Sequence, residues 1–210
     1  EREAAARGLS AHELLVEKAS GQEIGEHGLV ALDWHNGNRS ILADARLSGL
    51  VLGQTLATRP EDVYRALLEA TAFGCRVIIE NFEEHGIGVD EIVAAGGLLR
   101  NTTYMQLLAD ITRRPISLSL AEQTGALGAA VFAAVAAGVH PDVFVAADAM
   151  ASVERNAYVP RETVSEQYDA LYDIYKELHD LFGRYNGVSP MHRLKEIRAR
   201  IFRDRAPAGA

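Results

Sequence analysis

Short apolar runs alternate along the chain with longer segments in which apolar residues recur every three or four positions. The runs predict β-strands and the longer segments predict helices, because side chains alternate faces in a strand and share one face at helical spacing. Strands are expected at residues 28–33, 48–55, 92–95 and 114–120. Helices are expected at residues 1–7, 10–18, 58–86, 101–110, 122–138, 142–150, 164–185 and 190–205. This alternation predicts the α/β class, with a central, largely parallel sheet flanked by helices.

The longest predicted helix begins at a cluster of helix-start residues. Thr58 and Glu61 have the spacing of a capping box, and Pro60 between them lies in the first turn, where proline is tolerated. Inside the helix, Gly74 costs about 1 kcal/mol relative to alanine. We therefore expect Gly74 at a tight crossing with another helix, and the glycine- and alanine-rich helix at 122–138 is the candidate.

Residues 90–110 combine a short apolar strand, two glycines and a helix. Gly96 and Gly97 follow the strand, and Asn101 is a typical N-cap for the helix. Glycine lets a planar group approach the main chain, and a helix N-terminus presents unpaired N–H groups. The pattern fits a nucleotide-binding turn. It is also common in tight strand-to-helix connections that bind nothing.

Three other groups of polar residues are candidate sites. The loop at Asp33–Arg39 follows a buried strand, where it either contacts a ligand or is a loop anchored by Trp34. Gln106 and Asp110 lie one helical turn apart, a spacing more typical of a solvent-facing side than of chemistry. Glu122–Thr124 precedes a helix, where these side chains either cap it or contact ribose or phosphate.

Several stretches together resemble a known family: Gly28–Arg39, Ala70–Arg76 and the elements within Asp90–Gly138. They are similar to the C-terminal domain of the FGGY carbohydrate kinases, members of the actin-like ATPase superfamily, over roughly residues 8–183. The first two stretches resemble the bacterial L-ribulokinase branch more than glycerol or xylulose kinases. The sequence departs from the family pattern at Gln54, where an aliphatic residue is usual.

The resemblance implies a fold and a set of ligand contacts. The fold is one ribonuclease H-like lobe of an actin-like ATPase, here with extra C-terminal helices, and two such lobes close over ATP and substrate. In the family, the strand–Gly–Gly element contacts the adenosine of ATP. The implied cofactor-binding residues are therefore Gly96, Gly97 and Asn101.

The resemblance also implies a reaction, transfer of the γ-phosphoryl group of MgATP to L-ribulose in arabinose catabolism. The family's catalytic aspartate, its phosphate loop and most of its magnesium site lie N-terminal to the matched region. We therefore expect no catalytic residue and no metal ligand in this chain, which should be inert alone. The alternatives are a non-catalytic actin-like nucleotide-binding or assembly module, and a folded domain whose partner lobe carries all the function.

Composition narrows the classes of partner that the chain is expected to bind. The 21 basic and 29 acidic residues give a net charge of −8 and are interspersed, which argues against binding to nucleic acid or to an anionic membrane. The longest apolar run is shorter than the roughly 20 residues that span a bilayer. Cys75 is the single cysteine, which excludes an internal disulfide and fits a reducing cytoplasm.

The pattern divides the chain into three parts. Residues 1–27 are expected to be a helical lead-in, residues 28–185 the nucleotide-binding domain, and residues 186–210 a C-terminal helix with a disordered tail. The C-terminal helix is basic and amphipathic. It either packs on the domain or forms a contact in a homo-oligomer.

Overall fold

The computed structural model describes residues 2–205. The strands are β1 (Val30–Leu32), β2 (Leu50–Leu52), β3 (Ile92–Ala94), β4 (Ile116–Ser119) and β5 (Val153–Tyr158). The helices are α1 (Arg2–Ala6), α2 (Ala11–Ser20), α3 (Pro60–Glu84), α4 (Thr102–Thr112), α5 (Thr124–Ala136), α6 (Val143–Met150), α7 (Glu162–Gly183) and α8 (Pro190–Arg205), and a 3-10 turn, Gly97–Arg100, precedes α4. The predicted α/β class is confirmed. The tail expected to be disordered, 206–210, lies outside the described residues.

The strands form two small sheets. β1 pairs with β2 in antiparallel orientation, β3 pairs with β4 in parallel, and β4 pairs with β5 in antiparallel orientation. The expectation of one central, largely parallel sheet is therefore wrong for residues 2–205. The sequence of β5, Val-Glu-Arg-Asn-Ala-Tyr, lacks the alternation of apolar and polar residues that predicts a strand, so β5 was missed.

Helix α3 is the centre of the fold, since it packs against α2, α4, α7 and β1. Its N-cap is Arg59, whose N–H donates to Asp62 Oδ2 at 2.7 Å. The predicted capping box of Thr58 and Glu61 is therefore wrong by one residue. The Thr58 hydroxyl instead accepts from the Thr55 N–H at 2.8 Å, which closes the turn before the helix.

Aromatic side chains join α3 to α7. The Phe73 ring lies 6.2 Å from Tyr168, 5.7 Å from Tyr172 and 5.4 Å from Tyr175, measured between ring centroids. The Arg76 guanidinium lies 4.0 Å from the centroid of the Tyr172 ring. The tyrosines of α7 thus dock that helix onto the domain core.

Gly74 lies opposite α7, not α5. A Cβ at this position would be 3.3 Å from Tyr175 Oη, so the predicted crossing with α5 is wrong. Helix α5 packs against α6. A Cβ at Gly125 or Gly128 would meet no atom of residues 2–205 within 4 Å, and Phe132 is 67% exposed. The small residues of α5 are therefore not explained by packing inside the described part of the chain.

Helix α8 makes polar contacts with the segment that follows the Asp33–Arg39 loop. Lys195 Nζ donates to the carbonyl oxygens of Ala45 and Leu47 at 3.0 and 2.7 Å. His192 Nε2 lies 2.6 Å from Asp44 Oδ2. One side of the helix therefore packs on the domain near its start, and four of its apolar side chains are exposed: Leu194, Ile197, Ile201 and Phe202.

Within residues 2–205, no helix is both long enough and apolar enough to cross a membrane.

Candidate functional site

The two glycines after β3, here called the glycine ledge (Gly96 and Gly97), are exposed. Gly96 has φ 83° and ψ −159°, a conformation that is essentially restricted to glycine. Gly97 has no left-handed φ, and a Cβ there would meet no atom of the described chain within 4 Å. Nothing in the local packing therefore requires Gly97 to lack a side chain. Its effect is to leave the backbone surface open.

Asn101 connects the ledge to two helices. Its Oδ1 accepts from the Tyr104 N–H at 3.0 Å, which confirms Asn101 as the N-cap of α4. Its Nδ2 lies 3.5 Å from the Tyr64 hydroxyl of α3. Since an amide nitrogen carries two N–H groups, Asn101 retains a donor for a ligand.

The ledge lies at the carboxyl edge of the β3–β4 pair. Because these strands are parallel, the residues that follow them meet at one edge, and helices α4 and α5 both start there. Leu98 and Leu120 are 59% and 60% exposed at this edge. The ledge thus shares this edge of the sheet with two helix N-termini and two exposed apolar side chains.

The start of α5 has no side-chain cap. Gln123 is the N-cap residue, but its side chain forms no capping hydrogen bond. The Thr124 hydroxyl donates to the Ala121 carbonyl at 3.2 Å. Capping, one of the two roles expected for Glu122–Thr124, is therefore wrong, and the first N–H groups of α5 have no side-chain partner from this segment.

Gln106 and Asp110 do not form a solvent-facing pair. The Asp110 side chain is fully buried, and its carboxylate accepts from the backbone N–H of Arg161 at 2.8 Å and from Arg161 Nη2 at 2.6 Å. Gln106 Nε2 donates to the same carboxylate at 3.0 Å. The prediction of a solvent face is wrong for Asp110, which ties α4 to the start of α7.

The Asp33–Arg39 loop lines a pocket of about 420 Å³ between β1, α3 and α7. Trp34 anchors the loop, because its side chain is buried and its ring meets that of His179 edge-on at 5.4 Å. Burial raises the pKa of the Asp33 carboxyl above its ordinary value, and the nearby His35 offsets part of that rise. The loop is thus both anchored by Trp34 and part of a concave surface.

The raised pKa of Asp33 gives a pH-dependent prediction. A carboxyl whose pKa is higher in the folded chain costs the folded state stability as pH rises through the folded pKa, and costs nothing below the unfolded pKa. Asp33→Asn should therefore be more stable than the parent chain at pH 7, and the difference should disappear below about pH 4. Urea unfolding of both proteins at several pH values measures this. A parent chain that is the more stable of the two at pH 7 would contradict it.

A family model described as the FGGY family of carbohydrate kinases, C-terminal domain, matches residues 1–137. The match covers more than half of the chain and includes the glycine ledge. This chain belongs to the FGGY family of carbohydrate kinases. The predicted family is therefore confirmed.

Individual FGGY kinases are similar over most of the chain. The ribulokinase of Mycolicibacterium smegmatis is 53% identical over 197 residues, which are 94% of this chain and 35% of that protein. The structure of xylulose kinase from Rhodospirillum rubrum has a TM-score of 0.71 at 27% identity, over 83% of this chain and 35% of that one. The structure of Plasmodium falciparum glycerol kinase with ADP has a TM-score of 0.60 at 19% identity, over 80% of this chain and 34% of that one. This likeness shows a shared fold.

These comparisons confirm the fold that the FGGY resemblance implies, a lobe of an actin-like ATPase. The chain spans about a third of the length of the FGGY kinases that it matches.

A magnesium ion is implied by the FGGY family. In residues 2–205, no group of three or more His, Cys, Asp or Glu side chains is arranged to hold a metal ion.

The pocket beside Asp33 includes residues that sequence reasoning did not connect with the FGGY loop. Thr71 and Gly74 come from α3, and Tyr175 and His179 come from α7. They are far from the loop in sequence, so only the packing of α7 on α3 brings them together. The one sequence signal for this close packing was Gly74, a glycine inside the apolar face of the predicted helix.

Proposed function

We propose that this chain is the adenosine-binding part of an ATP-dependent sugar kinase whose acceptor is L-ribulose. The observation that carries the proposal is the open backbone at Gly97, which lies at the carboxyl edge of two parallel strands. No packing contact within residues 2–205 requires a glycine at this position. Ligands of open α/β sheets bind at such carboxyl edges. The high identity to ribulokinase supports L-ribulose, and the glycerol kinase structure with ADP supports an adenine nucleotide in this fold.

In this proposal the chain supplies a surface, not a reactive group. The adenine ring lies against the backbone of the glycine ledge, since a side chain at Gly97 would occupy that space. Asn101 donates its remaining N–H to the nucleoside. The uncapped N-terminus of α5 favours the negative charge of the phosphates through its N–H groups and dipole.

The proposed reaction transfers the γ-phosphoryl group of ATP to the terminal hydroxyl of L-ribulose. The bond between the γ-phosphorus and the ADP oxygen breaks, a new P–O bond forms to the sugar, and the hydroxyl proton passes to a general base. A bound Mg²⁺ would supply neutralisation of charge on the phosphates. We assign neither the base nor the metal ligands to this chain, so it should not phosphorylate L-ribulose alone. We place the enzyme in the cytoplasm, a reducing compartment that fits its single cysteine.

Calorimetric titration with ADP tests the proposed site. Gly97→Val should weaken ADP binding at least tenfold, because its side chain fills the space that the base requires. Asn101→Ala should weaken binding less, and it should also destabilise the domain by about 1 kcal/mol through the lost N-cap. The test uses the 210-residue chain and its variants under identical conditions.

Gly88→Val is the matched control. Gly88 also has no left-handed φ and no neighbour within 4 Å of a Cβ, but it lies in the loop between α3 and β3. ADP binding should survive this change. Equal affinity in the parent chain and Gly97→Val, or equal losses in both glycine variants, would refute the adenosine site.

A further inference from the structure

The second half of helix α8 has no covering element in the described chain. Every residue from Glu196 to Arg203 is exposed. Leu194, Ile197 and Ile201 are 66%, 46% and 45% exposed and share one face, because they lie three and four positions apart. Short isolated helices are marginal in water, and helices in proteins gain most of their stability by packing an amphipathic face. A partner surface is therefore expected for this half of α8.

Positive charge borders the apolar face of α8. The 16 residues of the helix include six basic and two acidic side chains, a net charge of +4, so the rest of the chain carries −12. Arg193 and Arg200 lie seven positions apart and therefore on the same side of the helix, each directly before one of the exposed apolar residues. Among residues 2–203, neither forms an ion pair, and Glu196 of the same helix lies 4.0 Å from Arg46. Five residues thus form a basic stripe: Leu194, Ile197 and Ile201 with Arg193 and Arg200.

Helix α7 presents a surface of the opposite charge. Its 22 residues include six acidic side chains and one basic side chain, a net charge of −5. Ile174 and Leu181 are 41% and 57% exposed on its outer face. Six exposed residues of this face form an acidic stripe: Ala170, Ile174 and Leu181, bordered by Glu166, Asp173 and Glu177.

The bordering carboxylates of the acidic stripe are available to a partner. Among residues 2–203, none of the three forms an ion pair, and the carboxylates of α7 that do so are Glu162, Asp169 and Asp180. The two stripes do not cover each other within one chain, since both are exposed. Both also follow residue 137, where the match to the FGGY C-terminal domain ends. A second copy of the chain offers each stripe a counterpart with an apolar centre and the opposite charge.

We propose that α8 of one copy docks on α7 of a second copy, with the basic stripe against the acidic stripe, and that the contact forms twice about a two-fold axis. Reciprocal contacts of this kind close the assembly at two chains. An apolar centre with charged residues at its rim is the usual anatomy of a protein interface. The two helix contacts add to one interface, and specific interfaces bury roughly 1,200–2,000 Å² in total.

Sedimentation equilibrium of the 210-residue chain measures the association directly. The mass should rise from the monomer value of 22.8 kDa toward twice that value as the concentration increases from about 1 μM to about 1 mM. Ile197→Ala/Ile201→Ala should weaken dimerisation at least tenfold, because it removes apolar contact area. Both side chains are exposed in the single chain, so the monomer should keep its stability.

Charge reversal identifies the two faces that meet. Arg193→Glu/Arg200→Glu and Asp173→Arg/Glu177→Arg should each weaken self-association at least tenfold, because like charges then face each other in both contacts. An equal mixture of the two variants should dimerise within about threefold of the parent affinity, because both contacts of the mixed dimer again join opposite charges. Restoration on mixing also shows that both variants are folded.

Arg2→Glu/Arg100→Glu is the matched control. Both arginines are exposed and lie outside the two stripes, so the same change in net charge should leave dimerisation at the parent affinity.

Four results would overturn this interface. A chain that stays monomeric over the whole concentration range means that no second copy binds. Dimerisation that is unchanged in the alanine and charge-reversed variants means that another surface is used. Loss in the α8 reversal without loss in the α7 reversal means that α8 pairs with α8. The fourth is a mixture of the two reversed variants that remains monomeric.

Discussion

Replacing Glu69 by alanine should lower the free energy of unfolding by about 3–5 kcal/mol, the usual cost of removing one partner of a buried ion pair. Glu69 and Arg65 are 2% and 7% exposed, and Arg65 Nε donates to Glu69 Oε1 at 2.7 Å. Arg65 also donates to the Ala19 carbonyl at 3.0 Å and to the Tyr168 hydroxyl at 2.6 Å. Without Glu69, the guanidinium stays buried at the junction of α2, α3 and α7 with its charge uncompensated.

A histidine completes this buried network. The Leu29 N–H donates to His27 Nδ1 at 3.0 Å, so Nδ1 is the acceptor and the proton lies on Nε2. His27 Nε2 therefore donates to Glu69 Oε2, which is 3.1 Å away. The neutral imidazole links the start of β1 to α3, and Glu69→Ala removes that link as well.

Urea unfolding of Glu69→Ala, with Glu84→Ala as the matched control, measures the effect. Glu84 lies on the same helix with its side chain exposed, and its removal should change stability little. The double variant Arg65→Met/Glu69→Leu should be less destabilised than the sum of its single changes, because no buried charge remains. A Glu69→Ala cost no larger than that of Glu84→Ala would show that the network is not stabilising.

Asp110→Ala should lower the free energy of unfolding by about 2–3 kcal/mol, the range for buried hydrogen bonds to a charged group. Its carboxylate accepts from both the backbone and the guanidinium of Arg161, the residue that precedes α7. Alanine leaves the Arg161 N–H without its acceptor and frees the N-terminus of α7. The charge left behind is tolerated, because the Arg161 side chain is 60% exposed.

Two further variants, Asp110→Asn and Asp148→Ala, show how much of the Asp110→Ala effect comes from the lost acceptor and how much from truncating an aspartate. Asparagine keeps an acceptor for the Arg161 N–H, so its cost should be smaller than that of alanine. Asp148 is exposed on α6, and its truncation should be close to neutral. The shift in urea midpoint at constant slope measures all three variants. Equal stability of Asp110→Ala and the parent chain would mean that Arg161 finds another acceptor.

Features with a local cause were predictable from the sequence. Asn101 caps α4 because its side chain bonds an N–H three residues away, and α8 spans Pro190–Arg205 as expected. The glycine ledge was predicted because a strand, two glycines and an N-cap are contiguous. Its role as a nucleotide contact stays a prediction that rests on the family and on the open space at Gly97.

Features that depend on distant partners were not predictable. Asp110 has the spacing of a solvent-facing residue, but it is buried because α7 brings Arg161 against it. Gly74 does mark a close contact, but its partner is Tyr175, about a hundred residues away in the chain. The pocket beside Asp33 follows from the same packing of α7 on α3. Helical spacing shows which face is buried, not which element covers it.

Amide spectra of the isotope-labelled chain with ADP test the central claim most directly. The account predicts that the largest shifts occur at Gly96, Gly97 and the first turn of α4, with smaller shifts at the start of α5. The resonances around Trp34 should not move. ADP-induced shifts that are absent from the ledge, or that centre on the pocket beside Asp33, would contradict the account.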